Sequence, residues 1–178
     1  MRWAALLRGI NLGKRQLKSA ELKAVVEGMG FTEVKTILAS GNVVFEAGDA
    51  KPEALERDLH AALEKQTGLK SEVFVRNRAD LEKIVAANPF PDEAEARPSY
   101  LVVSFHREPV DKAAIARLAT SYEGPERMVA IGRELFTDFP DGQGRSNLIP
   151  AMQKAKLWKQ NTARNWNTVL KLLAALES

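Results

Sequence analysis

Two spacings of apolar residues alternate along this chain. Leu22, Val25, Val26 and Met29 recur at i, i+3, i+4 and i+7, the stripe of a core-facing helix. Ser19 stands ahead of it as an N-cap, and Gly30 closes it. A second helix opens at Pro52, buries Leu55, Leu59, Ala62 and Leu63, and ends at Gly68. Around these lie short apolar runs at 2–8, 33–39, 42–47 and 71–76 that read as strands. Ser40-Gly41-Asn42 supplies a tight turn between the middle two. The order β-α-β-β-α-β is the ferredoxin-like unit, whose crossovers place both helices on one face of a four-stranded antiparallel sheet.

A short helix capped by Asn77 follows, with Leu81, Ile84 and Val85 inward. Residues 89–98 then carry three prolines and three acids, a linker by composition. Beyond it a strand at 99–105 and a helix with Ile115, Leu118 and Ala119 inward restart the pattern. Strands near 126–131 and 134–139 flank Gly132-Arg133. At an offset of 91, Ala39, Gly41 and Phe45 coincide with Ala130, Gly132 and Phe136, which suggests duplication. The remainder reads as helical. Ser146 caps Ile149, Met152 and Ala155; Thr162 caps a last helix buried along Trp166, Val169, Leu170, Leu173 and Leu176. The expected fold is therefore α+β: two ferredoxin-like subdomains, 1–88 and 99–178, with extra C-terminal helices in the second.

Composition narrows the chemistry. The 178 residues include no cysteine, which excludes disulfides, thiolate metal sites and cysteine nucleophiles. With two histidines far apart, no metal site is expected, and the sequence names no cofactor. No apolar run reaches the roughly 20 residues of a membrane span, and Arg8 interrupts the apolar start too early for a signal peptide. A cytoplasmic protein is expected. Net charge is only +3, but its distribution is uneven. Residues 1–20 hold five Lys/Arg and no acid, residues 142–178 hold six and one, and the stretch between them is acidic. Basic residues complement helix C-termini; they also suit an anionic ligand.

Four segments together resemble one bacterial family. They are Leu6-Leu7-Arg8-Gly9-Ile10-Asn11-Leu12-Gly13, Ser40-Gly41-Asn42-Val43-Val44-Phe45, Asp141-Gly142-Gln143-Gly144-Arg145-Ser146 and Thr162-Ala163-Arg164-Asn165-Trp166-Asn167-Thr168-Val169. The family is that catalogued as domain of unknown function 1697. The resemblance implies two ferredoxin-like subdomains and carries over no reaction, cofactor or catalytic residue. Where its pattern has a glycine pair after the first strand, this chain has Gly13-Lys14, an added positive charge.

Candidate site residues follow from charge and placement. The loop Gly9–Arg15 has glycines among Arg8, Asn11 and Lys14 but matches neither the Walker nor the dinucleotide pattern. Gly142-Gln143-Gly144-Arg145-Ser146 leads into a helix start, where backbone N–H groups attract anions and Arg145 adds a guanidinium. Arg164, Asn165 and Asn167 make an unusually polar first turn for the last helix. These eight residues form a candidate site for a small phosphorylated or carboxylated ligand. A sequence-independent nucleic-acid binder is the alternative, and a ligand-free structural protein a third; no base-stacking motif is present. His106 with Asp138 or Asp141 is the minimum for acid–base work, though exposed surface positions are expected for them.

Overall fold

A computed structural model of the chain describes residues 1–9, 16–39, 41–158 and 160–178. By compactness it divides into two units: Met1–Lys83 with Leu170–Ser178, and Ile84–Val169.

In the first unit, β1 (Arg2–Leu7), α1 (Ser19–Gly28), β2 (Thr32–Thr36), β3 (Asn42–Glu46), α2 (Pro52–Thr67) and β4 (Val73–Asn77) follow in chain order, and α3 (Arg78–Ala86) follows β4 directly. The sheet order β2-β3-β1-β4 is antiparallel throughout, the ferredoxin-like arrangement. Alternation sends Trp3, Ala5, Leu7, Val43, Phe45, Val73 and Val75 toward α1 and α2, where they meet Leu22, Val26, Leu55 and Leu59. The opposite face is buried as well: Ala4, Leu6, Val44, Phe74 and Arg76 are fully covered. Helix α1 begins one residue ahead of the expected cap. Lys18 is its N-cap, and the Lys18 N–H donates to the Glu21 carboxylate. Gly68 closes α2 with φ 73°, a left-handed cap.

The segment 89–98 holds a helix of its own, α4 (Pro91–Ala96), with proline in its first turn. It is tied down within the second unit. Arg97 grips the buried Asp138 carboxylate through Nε at 3.0 Å and Nη2 at 2.7 Å. Arg127 pairs with Glu93 and lies 5.1 Å over the buried Phe90 ring. Arg97→Ala should therefore lower the urea midpoint of the chain, because it strips Asp138 of its bidentate partner.

The second unit repeats the topology with β5 (Leu101–His106), α5 (Lys112–Ser121), β6 (Arg127–Ile131), β7 (Glu134–Asp138), a 3-10 turn (Gln143–Arg145), α6 (Leu148–Lys154) and β8 (Asn161–Asn165), before α7 (Trp166–Glu177). Its order β6-β7-β5-β8 matches the first sheet strand for strand. Residues 161–165, expected to open the last helix, are thus the fourth strand. Thr162 lies in it, and Asn165 is the true cap of α7, accepting from the Thr168 N–H at 3.0 Å. Along α7 the buried apolar residues are Trp166, Val169, Leu172, Ala175 and Leu176, with Thr168 buried beside them; Leu170, expected inward, is 41% exposed, and Leu173 is only half-buried.

The ladders also correct the internal alignment. Val44 stands opposite Ala4, and Phe136 opposite Val103, whereas Phe45 stands opposite Trp3 and Thr137 opposite Val102. Asn77 pairs with Trp3 and Asn165 with Val102, each just before a helix. Phe45 therefore corresponds to Thr137, not Phe136: the offset of 91 is out by one, which reverses faces. The hairpins differ accordingly. Gly132-Arg133 is a two-residue turn, while the first hairpin has a longer loop, in which Ser40 lies outside the described residues. Duplication holds at the level of topology and ladder.

Candidate functional site

Two of the sequence-predicted site residues, Asn11 and Lys14, lie outside the described residues. Arg8 directly follows β1 in the first unit, 3.7 Å from the Glu72 carboxylate, and its carbonyl accepts from Ser71 Oγ at 2.7 Å. Within the second unit Arg145 and Arg164 are not brought together. Arg145 is exposed in the turn leading to α6. Arg164 alternates onto the sheet face away from the core that holds α6, is nearly buried, and donates Nη1 to Thr162 Oγ1 (2.7 Å) and the Ala163 carbonyl (2.9 Å). Burial pushes its guanidinium down to about 10. Asn165 is spent on capping, and Asn167 is exposed.

The start of α6 already has its acceptors. Ser146 Oγ accepts from the Leu148 N–H at 3.0 Å, and Tyr122 OH donates to the Glu126 carboxylate at 2.8 Å. Burial would push the Glu126 carboxyl up, but hydrogen bonds from Ser146 and Tyr122 outweigh it and hold the group below its ordinary value. A resident carboxylate thus sits where an anion was expected. Because the folded-state pKa is depressed, this contribution is present above the ordinary carboxylate value and is lost as pH falls below it. Glu126→Gln should flatten that acid-side loss in thermal melts between pH 3 and 6.

A different place gathers more chemistry. His106, expected to be exposed, is buried at the end of β5, as Asp138 is at the end of β7; Asp141 alone is exposed. His106 lines a cavity of about 350 Å³ with Arg107, Glu108, Asp111, Lys156 and Gln160, two cations and two carboxylates among them. The ladder fixes its floor: His106 stands opposite Asn161 at the entry of β8, and Arg107 N–H donates to the Gln160 carbonyl at 3.3 Å. Asp111 caps α5, accepting from the Ala114 N–H at 3.0 Å. Lys156 and Gln160 hold left-handed backbone, φ 61° and 43°, which L side chains adopt at a cost. Lys156 is the C′ residue of a Schellman closure of α6, since its N–H reaches the Gln153 carbonyl and that of Leu157 the Met152 carbonyl. In the first unit Gly68 fills the corresponding place. Lys156→Gly should raise stability by about 1 kcal/mol, read from a urea titration, while removing a cation from the cavity.

Comparing the units shows what is particular to this site. In the same register Arg107 corresponds to Arg8 and Gln160 to Glu72, both strands ending in the same arginine-to-carbonyl bond. The carboxylate beside the first arginine is thus an uncharged amide beside the second. Among the described residues no three His, Asp or Glu side chains converge as a metal set, and no helix is long and apolar enough to cross a membrane. The base-reading faces of RNA-binding ferredoxin-like domains need accessible aromatics; here Phe74, Phe105 and Phe136 are fully buried.

A family model described as "Protein of unknown function (DUF1697)" matches residues 1–136, and the chain belongs to that family. Among solved structures, the conserved bacterial protein SP0830 from Streptococcus pneumoniae is similar over 98% of each chain, with a TM-score of 0.76 at 21% identity. That likeness is one of fold. No curated protein matches the chain.

Proposed function

We propose that the chain binds a small phosphorylated or carboxylated ligand, and that the second unit's cavity at the end of β5 holds it. This moves the ligand from the eight residues first singled out to Arg107 and Lys156, with His106 beside them. The observation that carries the reading is the exchange of Glu72 for Gln160 at equivalent positions. It puts an uncharged amide where the first unit holds the Glu72 carboxylate 3.7 Å from Arg8, in a cavity that Glu108 and Asp111 also line. A lysine kept where glycine would be easier adds a second cation. A pocket of this size suits a metabolite rather than a polymer. A cytoplasmic setting, which a chain without cysteine suits, is proposed with it.

Thermal-shift screening with small organic phosphates and carboxylates tests this. A ligand that binds only the native state raises the melting temperature by mass action. Arg107→Ala combined with Lys156→Ala should abolish the shift and leave the unliganded protein folded. A shift lost instead on Arg145→Ala would return the ligand to the turn before α6.

A further inference from the structure

The two helix layers differ where the two sheets agree. On α5, Ile115, Leu118 and Tyr122 repeat the spacing of Leu22, Val25 and Met29 on α1, and each set packs on its own core. Val26, wholly buried on α1, then corresponds to Ala119, which is exposed, and Val25 to Leu118, which is only half-buried. The partner helix is shorter too, seven residues in α6 against 16 in α2. A groove of about 420 Å³ is left between α5 and α6, with Leu118, Tyr122, Ala151 and Ala155 as its apolar lining. The Tyr122 ring is held in place. Its hydroxyl donates to Glu126 at 2.8 Å, and Gly124 leaves room for it, since a Cβ there would come within 2.6 Å of the ring. Two charges complete the lining, Glu123 and Lys154, and neither joins an ion pair among the described residues. Glu123 stands just past the C-terminus of α5, whose last turn holds no basic residue. A carboxylate there adds to the negative end of the helix, where a cation is the stabilising choice.

We infer that this groove binds a free α-amino acid with a large apolar side chain, independently of any anion in the cavity at the end of β5. The ammonium group of the amino acid meets the Glu123 carboxylate at the negative end of α5. Its carboxylate meets the Lys154 ammonium, and its side chain covers Leu118, Ala151 and Ala155 beside the Tyr122 ring. An apolar acid would set its carboxylate against Glu123, and an apolar amine its ammonium against Lys154. A zwitterion with an apolar body matches both signs and the lining between them. The volume is that of a small-molecule site.

Leucine and its two truncated forms serve as probes in calorimetric titration of the intact chain: isocaproate, which lacks the amino group, and isoamylamine, which lacks the carboxylate. The chain should bind leucine about tenfold or more tightly than either. Glu123→Gln should erase the advantage over isocaproate, and Lys154→Met the advantage over isoamylamine; both residues are exposed, so both variants should fold. Ala151→Leu, which puts a larger side chain into the groove, should abolish leucine binding without lowering the melting temperature of the free chain. Arg107→Ala with Lys156→Ala, in the other cavity, should leave leucine binding unchanged. Equal affinities for the three compounds, no binding of leucine, or leucine binding that survives Ala151→Leu would overturn the inference. So would its loss in the doubly substituted chain, which would place leucine in the other cavity.

Discussion

Replacing Arg76 by alanine will cost the folded chain about 3–5 kcal/mol, and the same change at Arg164 will cost nearly as much. The two arginines hold equivalent ladder positions, opposite Ala4 and Val103. Each sends Nη1 back to the carbonyl of the residue before it, Val75 or Ala163, at 2.9 Å. Arg76 is wholly covered, and Arg164 nearly so. Truncation removes a long buried stem and leaves those carbonyls without their donors. The charge itself is carried at a cost, as the lowered pKa of Arg164 shows. Arg164→Met, which keeps the stem without the charge, should therefore lose less than half of what Arg164→Ala loses. Urea titration of the three variants measures this. An alanine variant as stable as the wild-type chain would mean that the stem contributes nothing to packing.

Trp166→Ala is the second large effect, again about 3–5 kcal/mol. Trp166 is the first residue of α7 and is 5% exposed; its backbone N–H donates to the Pro98 carbonyl at 3.2 Å. The substitution empties a large apolar volume where β8 passes directly into the helix. Leu170→Ala, one turn along and 41% exposed, should change stability far less. Equal losses at both positions would place the buried stripe of α7 elsewhere.

The regular elements were legible because their patterns differ: a 3.6-residue spacing along α1 and α2, and short apolar runs, buried on both faces, at β1 and β5. What escaped was polar and buried. Strand β8 reads Asn-Thr-Ala-Arg-Asn, with one β-branched residue and no apolar alternation, so only its pairing with β5 makes it a strand. The signal that would have found it is Arg76-Asn77 recurring as Arg164-Asn165, each pair ending a strand and capping a helix. That repeat lies at an offset of 88, against 99 for the first strands, because the connecting segments differ in length. No constant offset could show it. Of the candidate site, the positive charge near the first β–α loop was legible through Arg8. Its counterpart Arg107 was not, since nothing in the residues at 106–111 distinguishes a cavity from a surface turn. Burial of His106, Ser104 and Asn161 comes from the sheet and helices packed over them, which local pattern does not report.

An anion entering the cavity at the end of β5 can be seen in a crystal. Selenate, a sulfate-shaped anion with a strong anomalous signal, tests it most directly when soaked into crystals of the intact chain. An anomalous peak is expected between Arg107 and Lys156, absent from crystals of the doubly substituted Arg107→Ala, Lys156→Ala chain. A peak beside Arg145 or Arg8, with the cavity empty, would contradict it.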